Sequence, residues 1–213
     1  MTHNKLQTLM SAVRTAQEKR AKRMARTRPS DLWKGLAAGA VSGLAASWVM
    51  NQFQSLWGKL TEGTEKPHGA QSLQHGSPQH GIGRELQERG SDEEGDNAAV
   101  RMAKIVSEEV FDHKLQGKRE KEVAGAAAHY AMGATSGAIY GAAAELLPEV
   151  TVGTGLPFGA AVWLVADEGI VPAIGLSKSP GEYPLSKHAY AVASHLVYGL
   201  TTEVVRRAVR RAF

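Results

Sequence analysis

Four long, weakly charged apolar runs most constrain what this chain can fold into. They cover Leu36–Trp57, Glu122–Leu147, Val150–Leu176 and Gly181–Arg211 of the 213 residues. Because a helix rises 1.5 Å per residue, about 20 residues cross the roughly 30 Å hydrocarbon core of a bilayer. A soluble bundle would need charged outer faces, whereas the outer positions here are Ala, Val, Leu and Gly. The predicted fold class is all-α, an integral membrane four-helix bundle with an amphipathic helix in a long polar loop.

The rest of the sequence divides the chain into segments of different character. The stretch after the first run is rich in Gly, His, Gln, Ser and Pro, which predicts a polar loop. Later in this loop, apolar residues at helical spacing predict an amphipathic helix that lies on the membrane or caps the bundle. The predicted segments are a basic amphipathic arm (1–30), transmembrane helix one (31–58), the polar loop (59–121, its helix near 96–115) and transmembrane helices two to four (122–213).

Basic residues at both ends of the chain predict its orientation. Residues 1–34 contain nine Lys and Arg against Glu18 and Asp31, and four arginines end the last run. Lys and Arg collect on the cytoplasmic side of a membrane, so we expect both termini in the cytoplasm. More than thirty residues precede the first run, which is too long for a signal peptide of about 15–30 residues. The arm is expected to be solvated or to lie on anionic lipid, and no nucleic-acid partner is expected.

Glycines recur every four residues in the first two runs, which leaves one face of each helix almost bare. In lipid, this small-xxx-small spacing lets two helices approach closely. The spacing differs from that of a phosphate-binding glycine loop. The glycines predicted to pack helices are Gly35, Gly39 and Gly43 in the first run and Gly133, Gly137 and Gly141 in the second.

Polar residues inside the runs are predicted to meet at one depth. If the first and third helices run outward and the others inward, one residue in each run lies six or seven residues from its outer end. At 1.5 Å per residue, this depth is roughly 10 Å below the outer boundary. The predicted layer is Asn51, His129, Asp167 and His195, with Glu168 and Tyr198 beside it, and a second, inner level is predicted at Tyr140, Glu145 and Glu203.

Three interpretations of the polar layer are open at this point. Interhelical hydrogen bonds would fix the register of the bundle. Histidine beside a carboxylate would form a proton or ion pathway that responds near neutral pH. Two histidines with a carboxylate also suit a divalent metal, and two histidines suit a haem; the candidate ligands are His129, His195 and Asp167. Nothing else in the sequence demands a cofactor, so its identity is open and we expect none.

No motif in the sequence indicates an enzyme. The chain has no cysteine, which excludes disulfides, thiolate metal sites and a cysteine nucleophile. It also lacks G-x-S-x-G, H-E-x-x-H and the Walker and dinucleotide-binding glycine patterns. The sequence therefore favours a non-enzymatic protein.

The run GLSKSPGEYPLSKHAYAVASHLVYGLTTE, with HYAMGATSGAIYG upstream, resembles the YagU-like family of small bacterial inner-membrane proteins of unknown function. The resemblance implies a multi-pass protein of the bacterial inner membrane and a role in acid tolerance, and it assigns no catalytic residue. We therefore expect a lipid-embedded protein that supports envelope or proton homeostasis through its buried histidines and carboxylates. The alternative is a structural or assembly subunit that docks other membrane proteins, or a second copy of itself, through its glycine faces.

Overall fold

The computed structural model describes residues 7–8, 10–18, 29–60, 96, 98–177 and 179–212. Residues 10–18 of the predicted basic arm are helical and exposed. The rest of the arm before residue 29, apart from residues 7 and 8, lies outside the described residues. So does the predicted polar loop over residues 61–95.

The described residues form helices and no strands, which confirms the all-α class. The long helices are α1 (Pro29–Leu60), α3 (Lys118–Leu146), α4 (Leu156–Ala173) and α5 (Leu185–Ala212), and the shorter α2 (Ala98–Phe111) precedes α3. Short 3₁₀ turns at Pro148–Thr151 and Pro180–Glu182 lead into α4 and α5. Helix α1 packs against α3 and α5, α4 packs against α5, and α2 lies against α3.

One of the described helices, α4, is long and apolar enough to cross a membrane. Its 18 residues have a mean hydropathy of 1.3, and only 17% of them are buried within the protein. A core helix of a soluble protein would instead be mostly buried. The other three long helices do not meet this hydropathy measure, because glycine, alanine, serine and ionisable residues replace larger apolar ones along much of their length.

Helices α1 and α3 run antiparallel in backbone contact. A Cβ atom added to any of the six repeated glycines would overlap backbone or side-chain atoms of the opposite helix. Each glycine of one helix faces a glycine of the other, as small-xxx-small packing requires. The facing pairs are Gly35 with Gly141, Gly39 with Gly137, and Gly43 with Gly133.

Helices α4 and α5 use a second glycine contact that the sequence analysis did not identify. A Cβ atom on Gly155 would overlap the carbonyl oxygen of Gly199, and one on Gly159 would overlap that of His195. Gly155 also precedes α4 in a left-handed conformation (φ 82°), which favours glycine. Both the turn and the close approach therefore require glycine at this position.

Small and polar residues fill the interior, while large apolar side chains point outward. Ala38, Ser42, Ala46, Ser194 and Thr202 are fully buried. More than half of each of four large apolar side chains, one from each long helix, is exposed. They are Trp48, Ile139, Leu164 and Val204.

Helix α2 packs the first half of its apolar stripe against the bundle and also buries two cationic side chains. Its fully buried side chains include Arg101 and Lys104, whereas Val106, Val110 and Phe111 are exposed. Long cationic side chains can be buried when their charged ends reach acceptors. The Arg101 guanidinium donates to the carbonyl oxygen of Leu176 (2.9 Å), and the Lys104 ammonium pairs with the Asp96 carboxylate. Polar anchoring, and not an apolar face alone, holds α2 against the bundle.

Replacing Gly39 by alanine should destabilise the protein by about 1–3 kcal/mol, because the added methyl group overlaps the Gly137 carbonyl oxygen across the helix contact. The matched control is Gly58→Ala on the same helix, where a Cβ atom meets nothing within 4 Å. Its better helix propensity should leave stability unchanged or raise it by up to about 1 kcal/mol. Thermal unfolding of both variants in detergent, followed by circular dichroism, measures these effects. Equal unfolding midpoints in the two variants would contradict the close contact at Gly39.

The start of α3 is stabilised by Glu120, outside the predicted spans. Its carboxylate accepts from the backbone N–H of Gln116 (2.6 Å) and lies 2.7 Å from the His113 ring nitrogen. The hydrogen bond with His113 lowers the pKa of Glu120 below its ordinary value, and the Gln116 bond adds to this effect. A lowered carboxyl pKa stabilises the folded state above the ordinary pKa of about 4.3 and ceases to do so as the pH falls through the lowered value.

We therefore expect Glu120→Ala to speed hydrogen exchange at the Gln116 amide at pH 6, because the amide loses its acceptor. Glu122→Ala, which removes an exposed carboxylate two residues later, should leave that exchange unchanged. The difference between wild type and Glu120→Ala should shrink as the pH falls below about 4. Exchange measured by NMR or mass spectrometry at both pH values tests this, and a difference that persists in acid would show another cause.

Candidate functional site

A cavity of about 180 Å³ lies between the long helices and α2. Most of its wall is apolar. Three ionisable side chains from three different helices line it: His129 of α3, Asp167 of α4 and His195 of α5. Tyr198 lies one turn after His195 on the same wall. Buried titratable groups that converge in a cavity mark a candidate functional site.

The carboxylates of the site belong to a π-helical segment, Trp163–Ile170, within α4. π-helical turns occur mostly at functional sites. Pro172 explains the widening of the turn, because a proline has no N–H to donate and its ring clashes with the carbonyl four residues earlier. In this chain that carbonyl belongs to Glu168. The Val171 N–H accordingly donates to the carbonyl of Ala166, five residues back.

Within this segment, two adjacent carboxylates each meet a histidine of α5. Asp167 lies 3.7 Å from the Nδ1 atom of His195, and Glu168 lies 2.7 Å from the Nδ1 atom of His188. His188 and His195 are seven residues apart, which places them on one face of α5 two turns from each other. The sequence analysis placed Asp167, Glu168 and His195 in the layer and left out His188. The seven-residue spacing opposite an Asp-Glu pair was the signal that could have found it.

His195 is arranged to accept a proton. Its Nδ1–H donates to the carbonyl oxygen of Ala191 (2.9 Å), so the neutral ring carries its free lone pair on Nε2. The Asp167 carboxylate lies beside the same ring. A proton taken up at Nε2 would therefore create an imidazolium next to a carboxylate.

His129 provides the third ionisable group. Its Nε2 atom is buried and makes no hydrogen bond with any other described residue. The ring lies edge-on to Tyr130, with 5.7 Å between ring centroids. Buried polar atoms in native proteins nearly always have a partner, which can be water or a ligand. This imidazole nitrogen beside the cavity is therefore able to bind water or a ligand.

The other two residues predicted for the layer have different surroundings. The Tyr198 hydroxyl donates to the carbonyl oxygen of Gly133 (2.7 Å) and lies 2.8 Å from the Ser136 hydroxyl, so it joins α5 to α3. Asn51 does not line the cavity. Its amide donates to the Tyr130 hydroxyl at 3.3 Å.

His188 lies outside the cavity, and both of its ring nitrogens face acceptors. Nδ1 is next to Glu168, and Nε2 lies 3.0 Å from the carbonyl oxygen of Pro180. These two contacts join the turn at Pro180–Glu182 to α4 and α5.

The inner polar level is a cluster of ion pairs at the arginine-rich end of α5. Glu203 is fully buried and accepts hydrogen bonds from Arg206 (2.7 and 3.0 Å) and from Arg207. Glu145 of α3 accepts two from Arg210, at 2.6 and 3.1 Å. The Tyr140 ring lies beside this cluster, 5.9 Å from the Arg206 guanidinium carbon. Each carboxylate here has an arginine partner, so the cluster is electrostatically satisfied.

The structure does not assemble a metal site from the predicted ligands. No three His, Cys, Asp or Glu side chains among the residues that the structure describes are close enough together to hold a metal ion. His129, His195 and Asp167 share the cavity without forming such a group.

Comparison with known proteins identifies a related but uncharacterised sequence region. Residues 105–204 match the family model "Protein of unknown function (DUF1440)". The matched region contains His129, Asp167, Glu168, His188 and His195, and it leaves out α1. The match does not distinguish the YagU-like family. No curated protein and no solved structure matches the chain.

Replacing Glu203 by glutamine should destabilise the protein by about 3–5 kcal/mol, because Arg206 would remain buried without its counter-charge. Glu182→Gln, which changes an exposed glutamate in a turn, is the matched control and should have little effect. Denaturant unfolding in detergent gives both values. A small loss of stability in Glu203→Gln would mean that water, and not the carboxylate, stabilises the charges of the arginines.

Proposed function

We propose that the chain is a multi-span membrane protein of proton homeostasis whose cavity takes up and passes protons. The single observation that carries the proposal is the convergence of His129, Asp167 and His195, from three helices, on one cavity. Histidine is the side chain whose ordinary pKa, about 6.5, lets it gain and lose a proton near neutral pH. Ionisable residues inside a membrane most often belong to ion or proton pathways.

The outer surface of the bundle supports a membrane location for all four long helices. Each helix presents large apolar side chains outward, and the interior is closed by glycine, alanine and serine contacts. This distribution suits a lipid environment, in which helices associate through small residues and not through the hydrophobic effect. The low hydropathy of α1, α3 and α5 then reflects their buried faces, which do not meet lipid.

The two polar levels support the predicted orientation. The arginine cluster of α5 lies beside Glu145, near the end of α3, and the positive-inside rule places such a cluster in the cytoplasm. His195 is eight residues, or about 12 Å along the helix, from Glu203. The cavity would therefore lie in the outer half of the bilayer, with both termini on the cytoplasmic side of a bacterial inner membrane.

A proton route through the cavity follows from the donors and acceptors already described. Protons that reach the cavity from outside would protonate His195 at Nε2, with Asp167 stabilising the imidazolium. His129 would receive or return the proton through water, since its Nε2 has no other partner among the described residues. We expect the cavity to hold up to about six waters, given the share of about 30 Å³ per molecule in the liquid.

The alternative of an assembly subunit loses part of its support. Its docking faces were predicted to be the repeated glycines, and these glycines already face each other within one chain. A partner would therefore have to dock on another surface. The proton proposal uses the unsatisfied polar groups, which register-fixing hydrogen bonds leave unexplained.

The proposal is tested by proton flux into liposomes that contain the purified full-length protein. After an external acid step, a trapped pH-sensitive dye should report acidification faster than in protein-free liposomes. His195→Ala and Asp167→Asn should slow the protein-dependent rate by about tenfold or more, because each removes a proton-carrying group. Asn51→Ala, at a predicted layer residue outside the cavity, should keep the wild-type rate.

Two results would contradict the proposal. Liposomes with wild-type protein that acidify no faster than empty ones would exclude proton passage. Equal rates in wild type and both cavity variants would show that protons pass elsewhere. Unfolding midpoints of all variants serve as the control, since a merely structural role of His195 would change stability and leave the flux of the folded protein intact.

A further inference from the structure

A second hollow adjoins the cavity on the outer face of the bundle. It is an apolar groove of about 740 Å³ between α2 and α3. The groove and the cavity share three lining residues: Met102, Met132 and Ser136. A polar-ended cavity that continues into an exposed apolar groove has the shape of a site for an amphiphile, with its head inside and its tail along the surface.

We propose that this combined site binds a lipid-soluble quinone, with its ring in the cavity and its apolar tail in the α2–α3 groove. The inference rests on the membrane placement argued above and adds a ligand to the same cavity. It concerns binding alone.

The size of the cavity favours a ligand whose headgroup is a single ring. An apolar cavity of about 150 Å³ in another protein is known to take up benzene. At about 180 Å³, the cavity here has room for one six-membered ring with small substituents. The bulky headgroup of a phospholipid, with two acyl chains attached, fits neither hollow as well.

The charges around the two hollows favour a ligand with an uncharged headgroup. No Lys or Arg lines either hollow among the described residues, and Asp167 lies in the cavity wall. A carboxylate or phosphate head would therefore lie next to a like charge, and its only possible counter-charges would be histidines that had first taken up a proton. A neutral head that accepts hydrogen bonds avoids this cost.

The unsatisfied polar atoms supply what a quinone carbonyl needs. Ser47 is 1% exposed, lines the cavity, and its hydroxyl oxygen has no hydrogen-bond partner within the described chain; the same holds for the Nε2 atom of His129. A hydroxyl can donate a hydrogen bond, and so can Nε2 in one of the two tautomers of a neutral imidazole. Carbonyl oxygens on a ring would satisfy both donors.

The methionines are suited to an aromatic or quinonoid ring. Met50 lines the cavity, and Met102 and Met132 lie where it opens into the groove. Thioether sulfur makes favourable contacts with ring edges, and the unbranched side chain adapts to the shape of its ligand. The junction can therefore admit a ring from the groove without moving a helix.

The test is binding of decylubiquinone, a short-tailed quinone, to the full-length protein in quinone-free detergent, measured by calorimetry. We expect saturable binding with one site. Ala166→Leu fills the cavity wall and should weaken binding by about tenfold or more, whereas Ala161→Leu, at an exposed position of the same helix, should not. Ser47→Ala is the milder variant, and it should weaken binding several-fold by removing one donor.

Decanoic acid, which has a similar apolar tail and an ionisable head, distinguishes the head chemistry. It should bind at least about tenfold more weakly than the quinone, because its carboxylate would lie beside the Asp167 carboxylate. Equal binding of both compounds would contradict the quinone proposal and would indicate a fatty acid as the ligand. Quinone binding that is absent, or unchanged in both Ala166→Leu and Ser47→Ala, would overturn the proposal.

The same preparations separate this inference from the proposed function. Proton flux into quinone-free liposomes without any quinone binding would support the proton pathway and contradict the quinone site. Quinone binding with no flux would leave a quinone site in a protein that does not pass protons. Loss of both would show that the cavity is a packing defect and carries neither role.

Discussion

The close backbone contact between glycine faces is the constraint on which the rest of the structure depends. Where Gly39 meets Gly137, and Gly155 meets Gly199, the helices are too near each other to admit even a methyl group. Such contacts gain dispersion energy and leave little apolar side chain to bury inside. The large apolar residues must therefore lie on the outside, and they are stable there only if the surroundings are themselves apolar. The same packing that closes the bundle thus requires a membrane, a membrane-like ligand or a partner surface around it.

Because the interior is built from small residues, the ionisable groups inside it become the chemically distinctive feature. They form two levels of different character. At the inner level, Glu203 and Glu145 are each paired with arginines. At the outer level, His129 keeps a nitrogen without a partner among the described residues, and a partly open cavity adjoins it. Paired charges are sufficient for stability, whereas an unsatisfied group with space beside it is the arrangement that a moving proton or a bound ligand requires.

Much of this architecture follows from the sequence, and the exceptions have a common cause. The helical class and the depth of the polar residues follow from the positions of apolar and polar residues along the sequence. Three of the four residues that were placed at one depth line one cavity. Counting does not give the direction in which a side chain points around the helix, which is why Asn51 contacts Tyr130 outside the cavity. The sequence analysis did not predict the buried cations of α2, for a related reason. Apolar periodicity gives no weight to acceptors such as the Leu176 carbonyl, which allow Arg101 to be buried.

The π-helical segment links the backbone to the chemistry of the site. Pro172 removes one donor from α4 and displaces the carbonyl of Glu168, so the turn that carries both carboxylates is wider than an α-turn. Successive side chains diverge less on a wider turn, which lets Asp167 and Glu168 both reach α5, one to His195 and the other to His188. In a regular α-helix, one of the two would turn further away. The two histidine–carboxylate pairs are thus joined through one segment of backbone.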